Sequence, residues 1–273
     1  MRRNYVPWRA AGTATERRHS ADEVVRSTGW VFNNVTGSGL NLAEFVETGN
    51  HETLAYLTAF GLGDDPHSTQ TLVEIGSGIG RMTASFTRLF ARVVACDLDA
   101  AFLERCRETV DQFGRPERLR TSPVADGRTI ALPDSGADMA FSYITFQHCH
   151  HDDALALTAE AVRVVRGGGH VVLNYRTWTA SDALLWPAGT IVRGLWRVPK
   201  LGPALSKRRS IARLGWQANR LSPSEVMTAV GPLVSEVQIF RSPKRRSFAI
   251  PGTLDQSFEG VHPSHWWLVA KVN

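Results

Sequence analysis

The stretch VEIGSGIGR, residues 73–81, joins a short apolar segment to a segment with helical spacing. Residues 71–76, TLVEIG, are typical of a buried strand, and the apolar residues after Arg81 recur every three to four positions. Glycines at such a junction let the backbone turn tightly and approach a ligand without a Cβ in the way. The open amino end of the following helix offers N–H groups to a negatively charged group. The loop is therefore a candidate site for a nucleotide-type ligand.

The alternation of strand and helix continues downstream of this loop. Further strands are predicted at RVVACD (92–97), RLRTSPV (118–124), ADMAFSYI (137–144), GHVVLNYR (169–176), VSEVQIF (234–240) and HWWLVAKV (265–272). Amphipathic helices are predicted at 99–113, 153–166 and 222–230. This order is typical of a parallel sheet with helices on both faces.

Composition divides the chain into four kinds of segment. Residues 1–20 are expected to form an exposed arm and residues 21–65 a helical cap. The α/β core is expected to span 70–177 and 221–273. Residues 178–220, rich in Trp, Pro and basic side chains, interrupt the alternation and are interpreted as an inserted lid. The alternative is a peripheral helix pair whose Trp186, Trp196 and Trp216 pack onto the core.

Charge is unevenly distributed over the 273 residues. The net charge is +5 and hydrophobic residues make up 43%, which excludes a disordered chain. Residues 1–20 contain five arginines and one acid, and residues 187–220 contain eight Lys or Arg and no acid. Such clusters bind anionic partners, namely phosphates, nucleic acids or lipid surfaces, or they serve as solubilising faces.

The three cysteines are Cys96, Cys106 and Cys149. An odd, sparse set without a CxxC pair does not form a disulfide framework, so a reducing cytoplasm is expected. No apolar run reaches the roughly 20 residues of a membrane span. The basic first residues lack the apolar stretch of a secretory signal.

The glycine spacing separates two kinds of cofactor site. A dinucleotide fingerprint requires G-x-G-x-x-G/A, but from Gly76 the chain reads G-S-G-I-G-R, with Arg81 in the place of the last small residue. The pattern G-x-G-x-G, preceded by Glu74, resembles motif I of class I S-adenosylmethionine-dependent methyltransferases. Asp97 ends the next strand, 21 residues after Gly76. Dehydrogenases have an acid at a similar position, so Asp97 alone does not distinguish the two families. The acid and the glycine spacing together support the resemblance.

Two further runs carry the same resemblance. They are VADGRTIALPDSGADMAFSYITFQH (124–148) and VVRGGGHVVL (164–173). The resemblance covers 70–176 well and 221–273 loosely, and it is greatest to small-molecule methyltransferases of bacterial specialised or glycolipid metabolism. It implies a seven-stranded Rossmann-like α/β sheet with helices on both faces, in which the last strand, 265–272, lies antiparallel beside the fifth.

The resemblance also implies a cofactor, S-adenosyl-L-methionine, with S-adenosyl-L-homocysteine as its product. The residues implied to bind it are Glu74, Gly76, Ser77, Gly78, Gly80, Asp97, Leu98, Asp126, Gly127 and Gln147. In this pattern Asp97 accepts the ribose hydroxyls, Leu98 packs on the adenine and Asp126 contacts its amine. Two alternatives stay open, since Glu74 could cap the glycine loop and Asp126 could be a turn residue.

The segment YITFQHCHHDDA, residues 143–154, has three histidines within four positions. Zinc ligands usually come from two separate segments, so no metal site is expected here, although a divalent ion on a polyol substrate stays open. Asp152 and Asp153 suit the positive amino end of the helix that follows, with Asp152 or His151 as its cap.

His148 precedes that helix, in the loop nearest the expected methyl group. A histidine can take the proton of an attacking hydroxyl near neutral pH, and small-molecule O-methyltransferases of the resembling family often carry one here. His148 is therefore the candidate general base, and Tyr143 is an alternative acid or base. The other hypothesis is a histidine that only hydrogen-bonds the loop. Substrate contacts are expected from Trp30, His151 and Trp178, and lid contacts also from Phe32 and Asn33.

The expected reaction is O-methylation of a hydroxyl on a sugar, natural product or glycolipid. Methylases of exocyclic amines in nucleic acids carry an (N/D)PP(Y/F) tetrapeptide where this chain has SYIT, 142–145. No specific nucleic-acid partner is expected. Apolar and basic residues mix over 184–216, which suits an anionic or lipid-linked acceptor or peripheral contact with a membrane. N- or C-methylation, RNA methylation and a non-catalytic cofactor-binding scaffold are the alternatives.

Overall fold

The computed structural model describes residues 20–29, 39–63, 67–196, 198, 201–206, 208–216 and 219–273. The predicted arm, apart from Ser20, and the predicted contacts Trp30, Phe32 and Asn33 lie outside the described residues. No helix in this described part is long and apolar enough to cross a membrane.

A single mixed sheet forms the centre of the molecule. Its strands are β1 (Thr71–Ile75), β2 (Arg92–Asp97), β3 (Leu119–Pro123), β4 (Ala137–Ser142), β5 (Val165–Arg176), β6 (Val234–Arg241), β7 (Leu254–Ser257) and β8 (His265–Val272). The order across the described sheet is β3-β2-β1-β4-β5-β8-β6-β7. Strands β1 to β5 pair in parallel. Strand β8 lies antiparallel between β5 and β6, which confirms the predicted place of residues 265–272.

The sheet has one strand more than the seven predicted. The additional strand, β7, has the sequence LDQS and pairs in parallel with β6 at the sheet edge. Its four residues are exposed or half-buried and show no apolar alternation, so the sequence pattern gives no strand signal there.

Helices cover both faces of the sheet, as predicted. They are α1 (Ala21–Thr28), α2 (Leu42–Ala59), α3 (Thr83–Leu89), α4 (Ala100–Phe113), α5 (His151–Val164), α6 (Asp182–Leu195), α7 (Leu201–Ser206), α8 (Arg209–Trp216) and α9 (Pro223–Val230). Val73 and Trp266 share one core with α5 and α9. Their neighbours Leu72 and Trp267 share the opposite core with α2 and α3. This two-residue alternation fixes which side chains reach each face.

The helix α2 packs directly against the end of the glycine loop. A Cβ on Gly49 would overlap the Arg81 carbonyl group, so a glycine is needed for this close approach. Glu52, one turn later, pairs with the Arg81 guanidinium at 2.6 Å. The glycine loop is thereby held between β1 and the amino-terminal helices.

Residues 178–220 contain α6, α7 and α8. Trp196 is buried among them, against Gly202 and Gly215, whereas Trp186 is 41% exposed. The alternative predicted that Trp186 packs onto the core, and its exposure shows that this was wrong for Trp186. The division of the chain into cap, core and lid stays a prediction.

Candidate functional site

The carboxyl ends of β1, β2 and β4 meet at one edge of the sheet, where open α/β sheets bind ligands. The glycine loop lies there with Gly76, Gly78 and Gly80 at φ of 79°, 56° and 92°. A Cβ on Gly76 would overlap the Thr145 side chain, and one on Gly80 would lie 3.1 Å from the Cys106 Cα. Each of the three glycines has a left-handed backbone that favours glycine, and two of them are also closely packed.

Arg81 stands where the dinucleotide fingerprint has its last small residue, and its side chain has space because it points toward α2. The helix α3 begins two residues later, at Thr83. The Arg81 side chain turns toward α2, where it pairs with Glu52 and donates to Thr48 Oγ1 at 3.3 Å. Its guanidinium also lies 5.9 Å from the Tyr143 ring centroid. The loop is thus tied to α2 instead of packing closely between helix and strand.

Asp97 ends β2 and faces the glycine loop. Its Oδ2 accepts the N–H of Gly78 and its Oδ1 accepts the N–H of Asp99, both over 2.9 Å. Burial raises the pKa of this carboxyl to about 6, although these hydrogen bonds oppose the shift. The carboxylate is therefore largely ionised at neutral pH and placed at the edge of the cavity.

Glu74 lies beneath the loop, on β1. Thr83 donates to its Oε2 over 2.6 Å, which links β1 to the first turn of α3. Burial raises the pKa of Glu74 to about 7. The side chain both supports the loop and lines the cavity, so the two roles considered for it are compatible in space.

Ten of the predicted site residues line one cavity. They are Glu74, Gly76, Ser77, Gly78, Asp97, Leu98, Asp126, Gly127, Tyr143 and His148. Four others lie outside its wall, namely Gly80, Gln147, His151 and Trp178. The cavity also has an apolar section, formed by Phe102, Val124 and Leu157 with Leu98. A polar loop and an apolar section within one cavity suit a nucleoside.

Asp126 is placed by its own turn. Its Oδ1 accepts the N–H groups of Arg128 and Thr129, each over 2.9 Å, and its Oδ2 accepts the Thr129 hydroxyl over 2.7 Å. The Thr129 hydroxyl and these N–H groups hold the pKa of Asp126 below its usual value. Asp126 is thus a turn residue that also lines the cavity, and its contact with an adenine amine stays a prediction.

The three neighbouring histidines diverge. His148 and His150 line the cavity, whereas His151 is 46% exposed with its Nε2 3.9 Å from Glu225. The cap of α5 is His150, one residue before the predicted candidates, because the helix begins at His151. In the described part of the chain, no three His, Cys, Asp or Glu side chains group as metal ligands.

His148 lies on a short 3-10 turn, Phe146–His148, between β4 and α5. Its backbone N–H donates to the Thr145 carbonyl over 2.9 Å, and its Nε2 lies 3.2 Å from the Gln147 amide nitrogen. Gln147 is buried, so it orients the imidazole without lining the cavity. Burial raises the pKa of the adjacent Cys149 thiol to about 12, which makes it a poor nucleophile.

Tyr143 lies between the cavity and an aromatic cluster. The Tyr56 hydroxyl donates to the Tyr143 hydroxyl over 3.0 Å, and the Tyr143 ring stacks on Trp267 at 5.3 Å. Burial raises the pKa of Tyr143 to about 12. Its hydroxyl therefore stays protonated at neutral pH, as a donor rather than a base.

Two features of the site were not anticipated. Thr145 bonds to the carbonyls of Ile75 and Tyr143, each over 3.1 Å, and covers Gly76. Beyond the end of β5, Arg176, Asp182 and Arg220 form a buried ion cluster. Arg176 at the end of a buried strand was a signal for the cluster, but Asp182 and Arg220 lie 6 and 44 residues further along the chain.

Known proteins share the part of the chain that builds this site. Residues 73–173 match the family model described as a methyltransferase domain. A carboxy-S-adenosyl-L-methionine synthase from Pseudomonas fluorescens is 32% identical over 114 residues, 40% of this chain and 45% of that protein. A demethylmenaquinone methyltransferase from Thermobifida fusca is 34% identical over 112 residues, 40% of this chain and 44% of that protein. The chain thus spans less than half the length of these relatives.

Residues 73–173 thus form a methyltransferase domain, and the chain resembles class I S-adenosylmethionine-dependent methyltransferases. A crystal structure of a protein from Bacillus halodurans, described as a methyltransferase, has the same fold with a TM-score of 0.52 at 13% identity. It covers 79% of this chain and 97% of its own. The fold predicted from the strand pattern is therefore confirmed.

The residues of the methyltransferase cavity fit S-adenosylmethionine. The buried Asp97 carboxylate can accept ribose hydroxyls, and Leu98, Phe102 and Leu157 give the same cavity an apolar wall for a base. The glycine loop presents bare backbone to the cavity, and Thr145 leaves no space for a side chain at Gly76. When bound, the cofactor supplies a methyl group on a positively charged sulfur.

Proposed function

We propose that this methyltransferase methylates a hydroxyl group of a small molecule, with His148 as the general base. The observation that supports this function is that His148 lines the same cavity as Asp97 and the glycine loop. A base beside the cofactor is what an alcohol requires, since its proton must leave as its oxygen attacks.

The residues around His148 are suited to the proton transfer. The Thr145 carbonyl accepts the His148 backbone N–H and holds the turn, and Gln147 Nε2 lies 3.2 Å from the imidazole Nε2, so the ring is positioned before a substrate arrives. Because an amide nitrogen only donates, this contact must open before Nε2 takes the proton of the acceptor. The protonated Tyr143 can donate a hydrogen bond to the acceptor but does not compete for its proton. Catalysis then depends on placing the acceptor oxygen about 3 Å from the methyl carbon, in line with the sulfur.

Two of the relatives are named as methyltransferases, with different acceptors, whereas the Pseudomonas fluorescens relative is named as a synthase. A malonyl-[acyl-carrier protein] O-methyltransferase from Yersinia pestis is 31% identical over 108 residues, 40% of this chain and 37% of that protein. The Thermobifida fusca relative is named for demethylmenaquinone. We favour an oxygen acceptor because of His148, and a sugar, natural product or glycolipid as its carrier.

Three alternatives make different predictions. An N- or C-methyltransferase has no hydroxyl proton to remove, so it would not need His148 for that step. An RNA methylase would use the basic segment 187–220 for docking. A non-catalytic scaffold would bind the cofactor and transfer nothing. The intact glycine loop beside a histidine favours the enzyme over the scaffold.

We also propose that α6 contacts a membrane surface carrying anionic lipids. Leu184, Ile191 and Leu195 lie on one side of the helix and are 77%, 64% and 37% exposed. The adjoining sequence is basic and has no acid between residues 183 and 224. An apolar face beside basic residues suits the interface of an anionic bilayer. The free thiols Cys96, Cys106 and Cys149 are the basis for a cytoplasmic location.

Labelled S-adenosylmethionine tests the proposed function. The protein is incubated with fractionated extract of its source organism, and Asp97→Asn is incubated in parallel. Label in a low-mass or lipid fraction, lost in the variant, supports a small-molecule methyltransferase. Label in RNA or protein would contradict it, and bound cofactor without any label would favour the scaffold.

A further inference from the structure

A buried ion cluster lies at the carboxyl end of β5. Arg176 Nη2 and Arg220 Nη2 share one oxygen, Oδ1 of Asp182, at 3.1 and 2.6 Å. The second oxygen, Oδ2, accepts the backbone N–H and the hydroxyl of Thr179, each over 2.9 Å. Burial alone would raise the pKa of Asp182, but the bonds from Arg220 and Thr179 hold it well below its usual range. One carboxylate thus faces two guanidinium groups.

More positive charge surrounds this pair than Asp182 can balance. Burial lowers the pKa of both Arg193 and Arg245, and the charge of Arg220 lowers that of Arg193 further. Among the residues that the structure describes, no carboxylate lies within 4.0 Å of either group. The chain has no Asp or Glu between residues 183 and 224. Within the described residues, Arg245 therefore lies near Asp182, and Arg193 near Arg220, without a carboxylate of its own within 4.0 Å.

Hydrogen-bonding capacity is also left over. Arg176 is 7% exposed, and its Nε is buried with no hydrogen-bond partner in the described part of the molecule. The same is true of Arg245 Nη1. Buried charged groups without partners are costly, and an anion with several acceptor oxygens would satisfy both donors and the excess charge.

The cluster adjoins the catalytic turn. The Asn219 N–H donates to the Gln147 carbonyl over 3.0 Å, and the Leu221 N–H donates to the Arg176 carbonyl over 2.8 Å. Arg220 therefore lies on a segment that joins the turn of His148 to the end of β5. His265, opposite Arg176 in the β5–β8 pair, has its pKa lowered to about 3 by burial and by the charges of Arg176, His262 and His148.

Trp178 gives the cluster an open side. Its ring is 47% exposed and lies 5.7 Å from the Arg220 guanidinium. Arg245 donates to the Trp178 backbone carbonyl. Trp178 thus places an exposed aromatic ring beside the buried guanidinium of Arg220, at the side of the cluster nearest solvent.

We propose that Arg176, Arg220 and Arg245 bind an anionic group of the acceptor, a phosphate or a carboxylate, beside the catalytic turn of His148. That the anion belongs to the methyl acceptor rests on the proposed function, whereas the binding of an anion does not. Guanidinium groups suit both anions because their N–H groups match two oxygens at once. The site would fix the acceptor at one end and leave its hydroxyl to reach His148.

Anion titration of the full chain tests this site. Inorganic phosphate and acetate are titrated separately by calorimetry at constant ionic strength, with chloride as the reference, because screening would otherwise change with the anion. The variants are Arg176→Gln and Arg245→Gln. The matched control is Arg166→Gln, which removes a half-exposed arginine at the opposite end of β5. We expect one anion to bind, with affinity about ten-fold or more lower in the two variants and unchanged in the control.

Each outcome decides one question. Tighter binding of phosphate indicates a phosphorylated acceptor, and tighter binding of acetate indicates a carboxylate. No binding above chloride, or equal binding in all three variants, would overturn the anion site. If Arg176→Gln does not fold, Arg245→Gln decides, because Arg245 is not paired with Asp182. The titration contains no methyl donor, so absence of anion binding would contradict the anion site and leave the proposed methyl transfer untouched. Anion binding in a protein that transfers no methyl group would contradict the proposed function and leave the anion site untouched.

Discussion

The backbone N–H of Gly78 donates to Asp97 Oδ2 over 2.9 Å, which ties the glycine loop to the end of β2. The same carboxylate faces the cavity, so loop conformation and ligand recognition depend on one ionisable group.

Asp97 should make cofactor binding depend on pH. Burial raises its pKa to about 6, and the ionised form is the better acceptor for ribose hydroxyls. Binding of S-adenosylmethionine should therefore strengthen as pH rises through about 6. Calorimetry should show affinity about 10- to 100-fold lower for Asp97→Asn. An unchanged affinity in the variant would remove Asp97 from the binding site.

Glu74 should reduce stability as pH rises. Its pKa is about 7 in the folded chain and 4.5 as a free group, so the folded state favours the protonated acid. This contribution is fully present below about 4.5 and is lost as pH rises through about 7. Glu74→Gln keeps an acceptor for Thr83, so the free energy of unfolding of this variant, relative to that of the native chain, should rise by about 3 kcal/mol from acid to alkaline pH. Urea unfolding across this pH range measures the free energy of unfolding, with Glu117→Gln, at an exposed position, as the control.

If the stability difference between Glu74→Gln and the native chain stayed constant across that range, the buried acid would not be the titrating group. An equal pH-dependent gain of stability in Glu117→Gln would assign the effect to the change in net charge and not to the burial of Glu74.

Gly76 should tolerate no side chain. Gly76→Ala places a Cβ at φ 79° into the Thr145 side chain. Gly61 is the matched control, since it has φ 71° and no neighbour within 4 Å. Backbone strain should cost both variants about 1 kcal/mol or more, and the Thr145 overlap should make Gly76→Ala worse and abolish cofactor binding. Equal losses of stability and retained binding would contradict the close packing.

The apolar face of α6 should control lipid binding. Ile191→Ser removes a side chain that is 64% exposed, so it should lower co-sedimentation with vesicles of anionic phospholipid without lowering stability. Leu54→Ser, on α2 and 54% exposed, is the control. Equal binding by both variants, or equal binding to neutral vesicles, would contradict the membrane contact.

The sequence predicted the sheet because its signals are local and repeated. Apolar alternation in residues such as Trp266 and Trp267 reports which face of the sheet each side chain occupies. The glycine spacing reports a backbone conformation, and all three loop glycines have positive φ. These patterns need no knowledge of distant residues, so they could be interpreted from one chain.

The rest depends on contacts between distant residues. The sequence placed both His148 and His151 in the site, but His148 lines the cavity and His151 points toward α9. Asp182 was one acid at the edge of a basic segment until the fold brought Arg220, 38 residues away, onto it. Only the tertiary structure distinguishes such a cluster from a solvated charged face.

Methyl transfer by His148→Ala shows directly whether His148 is the general base. The variant, the native chain and the exposed control His51→Ala are incubated with labelled S-adenosylmethionine and the fraction that accepts label. Loss of a general base should lower the rate at least about 100-fold, while calorimetry shows cofactor affinity nearly unchanged and His51→Ala stays fully active. Transfer at the native rate by His148→Ala would contradict the account of the base.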